Sequence, residues 1–147
     1  MANETDIDEA LARVDLFAGI SGRTRRKLAA TGQIVQHAAD QEILEQGRDA
    51  AGFHLILDGE VRIAVDGEER PRLGPGEYFG EISLLDGKPR TATATGGPAG
   101  ATTWSLPSWK FLPMLDEHPE ICRPLLQTLC VRLRAAEESG AASRSAG

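Results

Sequence analysis

The 147 residues, 41% apolar and 26% charged, have the size and composition of one folded domain, which argues against disorder over most of the chain. A net charge of −6 and an isoelectric point near 5.1 exclude a broad basic surface for nucleic acid or an anionic membrane, so any bound anion must be met locally. The acidic start "MANETDIDEALARVD" has no signal-peptide core and no window approaches 18 apolar residues, which points to a cytoplasmic protein without a membrane anchor.

In chain order, residues 1–30 read as two short N-terminal helices, with Ile7, Leu11 and Val14 on one face and Leu28 on the next, where Ser21 is placed to cap. From 31 to 107 the texture changes to about eight short segments: "QIVQH", "EILEQ", "FHLILD", "EVRIAVD", "PRLG", "EYFG", "TATATG" and "ATTWSL". Turn residues at nearly every join predict an antiparallel sandwich, jelly roll or small barrel. Asp58-Gly59 and Asp66-Gly67 are both hairpin signals flanking the alternation of Val61, Ile63 and Val65.

Residues 108–139 return to helical spacing, with a break at His118-Pro119 and an apolar stripe of Ile121, Leu125, Leu129 and Leu133. Residues 140–147, "GAASRSAG", read as a flexible tail. Cys122 and Cys130 fall on that last helix ~12 Å apart, too far for a disulfide, and are expected to be reduced, buried thiols. Trp104 and Trp109 are expected to pack helices against the sheet; His37, His54 and His118 have no metal-ligand spacing and read as surface or helix-boundary residues. The Arg23–Lys27 cluster reads as a solvated helix face.

The chemistry concentrates in residues 76–96, "GEYFGEISLLDGKPRTATATG". Gly80 opens a short apolar helix whose first N–H groups have no partner within the helix, which favours an anion and lets it approach the main chain. Arg90 can add a forked donor to the same anion and Thr91 a hydroxyl. Glu81 beside a phosphate is unfavourable unless something between them, such as a sugar hydroxyl, donates to it. No phosphate-binding P-loop, nucleophile elbow or cysteine–histidine pairing is present, so the sequence offers no catalytic constellation and reads as a non-enzyme.

The run "FGEISLLDGKPRTATA" resembles the phosphate-binding cassette of cyclic-nucleotide-binding domains, the family of the cyclic-AMP receptor and protein kinase regulatory subunits. The likeness spans roughly residues 14 to 138, including "EILEQGRDAAGFHLILDGEVRIAV", with Gly47 and Gly59 at turns, and "PEICRPLLQTLCVRLRAAEE" as hinge and lid helices. It implies a mainly β fold with flanking helices, an antiparallel jelly-roll-like β-barrel. It further implies a regulatory module for cyclic AMP, or alternatively cyclic GMP, that signals by moving its C-terminal helix to an unknown effector protein or domain.

On that likeness Glu81 would accept the ribose 2′-hydroxyl, and N–H groups at Gly80, Ile82 and Ser83 would line sugar and phosphate. Arg90 would pair with the cyclic phosphate, followed by Thr91, while Ile63 and Leu73 would face base and ribose. Ligand would draw the cassette inward and change how Leu84 and Leu85 pack against the helix carrying Leu125, Leu129 and Leu133. The chain departs at Ala136, which has no side-chain donor where the bacterial receptor offers a hydroxyl to the adenine; Glu137, Arg134 or the backbone then become candidates for the base, with weak base recognition as the alternative. It also shows no DNA-binding domain after the last helix, which is itself a candidate homodimer surface. The competing expectations are a cupin-like metal enzyme on a similar barrel and an interaction scaffold with a vestigial pocket.

Overall fold

The computed structural model describes residues 4–44, 52–88 and 92–144. Three helices open the chain: α1 (Glu4–Ala12), α2 (Asp15–Ala18) and α3 (Gly22–Thr31). The third element arises because "LFAGI", between the two expected helices, winds one helical turn that buries Leu16 and Phe17. Ser21 caps α3, its Oγ accepting the N–H of Thr24 at 3.3 Å and so satisfying one orphan donor of the first turn.

Six strands follow among the described residues: β1 (Gln33–His37), β2 (Glu42–Leu44), β3 (Gly52–Val65), β4 (Glu68–Glu69), β5 (Tyr78–Phe79) and β6 (Thr93–Pro107). They form a single antiparallel sheet in the order β1-β6-β3-β4, with β2 added to β6 and β5 to β3. The expected barrel is therefore corrected to an open sheet.

The physical reason lies in the two long strands. β3 and β6 pair from Gly52↔Pro107 to Ala64↔Thr93, so four of the expected short segments fuse into two, and the ribbon bends at register shifts instead of turning back. Gly59 sits at one of these shifts with φ 81°, where a Cβ would fall 2.2 Å from the carbonyl oxygen of Gly100. Asp58-Gly59 is thus a bulge and not the predicted hairpin. Asp66-Gly67 is a hairpin: both residues have positive φ, 52° and 80°, and Val65 pairs directly with Glu68. "PRLG" contracts to an isolated bridge between Leu73 and Val61. Gly47 lies outside the described residues.

After β5 comes α4 (Glu81–Asp86), and after β6 come α5 (Ser108–Glu117), a 3-10 turn at Pro119–Ile121 and α6 (Cys122–Arg144). Pro124 lies in the first turn of α6, where its missing N–H has no helical partner to lose. The helix runs to Arg144, beyond the expected end near residue 139; residues 145–147 lie outside the described set.

The helices share one core with the sheet: α4 packs on β3 and α5 on β6, while α1 lies against α3 and α6 against α2. Phe17, Phe53, Trp104, Leu106, Phe111 and Ile121 are at most 1% exposed, with Phe17 edge-on to Phe53 at 5.2 Å. Ser108 donates its hydroxyl to the carbonyl of Leu84 at 3.0 Å, so the start of α5 is fixed to α4.

Several expected positions move. Trp104 is buried as expected, but Trp109 is exposed, with Lys110 over its ring. Cys122 is partly exposed and Cys130 exposed; both are free thiols but not buried ones. His37 and His54 are half-buried strand residues bonded to Thr103 and Ser105, because their positions in β1 and β3 face β6. Only His118 marks a helix boundary. Among the described residues no helix is long and apolar enough to cross a membrane.

Candidate functional site

The site is built around the start of α4. Gly80 occupies its N-cap in the left-handed region, φ 86°, a conformation that leaves a glycine unstrained and would strain any other residue. The first intrahelical bond runs from the N–H of Leu84 to the carbonyl of Gly80 at 3.0 Å, which leaves the N–H groups of Glu81, Ile82 and Ser83 ahead of it without helical acceptors. Leu84 and Ser83 are buried and anchor the turn on the sheet, whereas Ile82 is 63% exposed.

Ile63 and Leu73, which precede α4 in the chain, come together in a second apolar cluster around Ile56, Val61, Ala94 and Ala101. Ile43 and Phe79 complete it, and Phe79 immediately precedes Gly80, so this apolar floor adjoins the start of the helix. Phe79 is in turn stacked on His54 at 4.9 Å. Six of the eight expected site residues therefore belong to two adjoining surfaces: Gly80, Glu81, Ile82 and Ser83 on one, Ile63 and Leu73 on the other. Arg90 and Thr91 lie outside the described residues.

Glu81 is not isolated. Its carboxylate lies 3.7 Å from Nη1 of Arg132 on α6, with its own side chain 24% and that of Arg132 30% exposed. The same guanidinium grips Asp15 of α2, Nη2 to Oδ1 at 2.8 Å and Nε to Oδ2 at 3.3 Å. It also lies over the Tyr78 ring at 5.5 Å, and the Tyr78 hydroxyl contacts both Arg132 and Asp15. One turn earlier on α6, Thr128 donates to the backbone carbonyl of Asp15 at 3.4 Å.

The charges in this cluster support one another. Burial opposes ionisation of Asp15, but hydrogen bonds from Arg132 and Tyr78 outweigh it and hold the carboxyl below its ordinary range. Burial, joined by the hydrogen bond to Asp15, pushes the Tyr78 hydroxyl well above its usual value. Burial alone would lower Arg132, yet its bond to Asp15 and the nearby acidic groups raise it.

Asp15, Tyr78 and Arg132 are absent from the sequence-based site. Tyr78 lies within residues 76–96, but Asp15 and Arg132 are 117 residues apart and neither has a local motif. Arg134 and Glu137, the candidates offered in place of Ala136, are exposed on α6. Among the described residues no three histidines, cysteines or carboxylates are gathered to hold a metal ion.

Comparison with known proteins gives a consistent result. A family model described as "Cyclic nucleotide-binding domain" matches residues 34–118. A CRP-like cAMP-activated global transcriptional regulator of Mycobacterium tuberculosis is 31% identical over 137 residues, 87% of this chain and 59% of that protein. A cGMP-dependent protein kinase of Toxoplasma gondii is 31% identical over 108 residues, 67% of this chain and 11% of the kinase. The chain thus spans only part of the curated relatives it matches. Among solved structures, the N-terminal domain of a transcriptional regulator from Streptomyces coelicolor superposes with a TM-score of 0.78 at 29% identity, covering 90% of this chain and 94% of that one.

Proposed function

The chain belongs to the cyclic nucleotide-binding domain family, and on that premise we propose that it is a cytoplasmic regulatory module that binds cyclic AMP and passes the signal on through α6. Glu81 accepts the ribose 2′-hydroxyl, and Arg90 with the first N–H groups of α4 neutralises the cyclic phosphate. Ile63 and Leu73 cover the base and ribose. Thr91 adds a hydroxyl beside Arg90. The module carries out no chemistry on its ligand; its output is the position of a helix sensed by an effector protein or domain.

The observation that carries this reading is the placement of Glu81. It stands directly behind a left-handed Gly80, next to the apolar floor, and within 3.7 Å of a side chain on α6. The proposed sugar acceptor and the proposed moving element are therefore already in contact.

A cyclic nucleotide has about 22 non-hydrogen atoms; at ~0.3 kcal/mol per atom the dissociation constant is of order 10 μM. Isothermal titration with cyclic AMP, cyclic GMP and linear AMP tests the proposal. Cyclic AMP is expected to bind most tightly, and Arg90→Ala to weaken it by roughly 10- to 150-fold, equivalent to ~1.5–3 kcal/mol for a lost charge-assisted contact. Unchanged affinity in Arg90→Ala would refute the assignment, and tighter binding of cyclic GMP would reassign the ligand.

The exposed part of α6 supports a homodimer as a second element of this reading. Leu126 and Leu133 are 62% and 61% exposed and share one helical stripe with Cys130, an apolar face suited to a second copy of the same helix.

A further inference from the structure

We propose that Arg132 is a built-in competitor for Glu81: it reaches, from α6, the carboxylate that the nucleotide's sugar would take. This rests on the reading of Glu81 as the sugar acceptor and adds to it a named residue that opposes binding.

The geometry points to competition because of how Arg132 is held. Asp15 engages two of its nitrogens and Tyr78 its π face, so the guanidinium is fixed by groups outside the cassette. Only Nη1 is directed at the cassette, and it meets Oε1 of Glu81 at 3.7 Å. Thr128, bonded to the Asp15 carbonyl, holds the preceding turn of α6 in the same register. The guanidinium's two anchors come from α2 and β5; its contact with Glu81 alone belongs to the site.

A carboxylate facing a fixed guanidinium at ion-pair distance is drawn towards α6 and is partly neutralised by it. A sugar hydroxyl arriving at Glu81 must share or displace that contact. Because equilibrium coupling is reciprocal, whatever factor the Arg132 contact takes from nucleotide affinity, the nucleotide takes from the Arg132 contact. The consequence is a link between occupancy and the grip on α6 that runs through one ion pair, with no rearrangement of the sheet required. The half-exposed setting limits the size of the effect: Asp15 is 56% exposed and Arg132 30%.

The test is Arg132→Gln in the full chain, which keeps side-chain length and hydrogen-bonding capacity but removes the charge. Titration with cyclic AMP is expected to show about fivefold tighter binding than wild type, at the low end of ordinary coupling factors. Equal or weaker binding would overturn the proposal, and a merely destabilised protein would bind more weakly, not more tightly. A second arm needs no nucleotide. Amide hydrogen exchange of the unliganded variant should be faster than wild type in Glu81–Asp86 and in the turn containing Thr128, and unchanged rates there would also overturn it. If wild type binds no cyclic nucleotide, the proposed function fails, while the exchange arm still decides whether Arg132 clamps α4 to α6.

Discussion

The indole N–H of Trp104 donates to the carbonyl oxygen of Ala29 at 3.1 Å, joining the C-terminal part of β6 to the end of α3. The junction closes over Gly32, where a Cβ would fall 2.4 Å from the indole ring and 2.7 Å from the carbonyl oxygen of Ser105. With the ring 1% exposed, neither partner has room to withdraw. Gly32→Ala is therefore expected to cost about 1–3 kcal/mol by overpacking, although its backbone angles are ordinary. Chemical denaturation followed by indole fluorescence checks it; an unshifted midpoint would mean that the junction yields.

A pH dependence follows from His37. Its ring nitrogen Nε2 lies 3.0 Å from the Thr103 hydroxyl, and burial lowers its pKa below the ordinary 6.5. The unfolded chain then takes up a proton more readily than the folded one, so stability falls as the pH drops through and below the unfolded value. Denaturation midpoints are expected to decline between about pH 7.5 and pH 5.5, and His37→Gln to flatten that decline. A variant with the same slope as wild type would assign the effect to other groups.

The two ends of α4 give a paired prediction. Gly80 and Gly87 both adopt left-handed angles, φ 86° and 69°. Alanine at either position is expected to cost about 1–2 kcal/mol of stability. Only Gly80→Ala should also weaken cyclic AMP binding, because it displaces the free N–H groups of the first turn. Equal losses of affinity in both variants would show that the effect is general destabilisation.

On the dimer, the exposed leucines of α6 are the handle. Leu126→Glu together with Leu133→Glu should convert a dimer to a monomer in sedimentation equilibrium, with a change in fold stability of about 0.5 kcal/mol or less per site. A wild-type protein that sediments as a monomer at ~100 μM, weak even for a transient pair, would remove this part of the proposal.

Local chemistry made parts of this structure legible. Asp66-Gly67 reads correctly because a two-residue turn demands two positive φ angles and that pair supplies them. Asp58-Gly59 carries the same signal but serves a bulge, since β6 pairs with both sides of it and the chain has no need to reverse. A dipeptide records the backbone angle it tolerates, not the partner strand that decides its use. The same limit divides the site. Gly80 to Ser83 were visible as a helix start in one stretch, and Ile63 and Leu73 through resemblance to a family. Asp15, Tyr78 and Arg132 were not, because each is ordinary in its own segment and the cluster exists only once α6 lies across α2 and β5. Cys122, Cys130 and Trp109 were expected inside for their side chains alone, and the helices they sit on turn those faces outward.

The last helix touches the core chiefly through Leu125, with Ile121 just before it and Leu129 at the margin, and its remaining turns extend past it to Arg144. Fifteen residues at about 1.5 Å each make an arm of ~22 Å beyond Leu129. Pivoting such an arm by ~10° at its base carries its far end some ~4 Å sideways, so an adjustment comparable to one bond length beside Glu81 emerges at the tip as a displacement wide enough for a neighbouring molecule to feel.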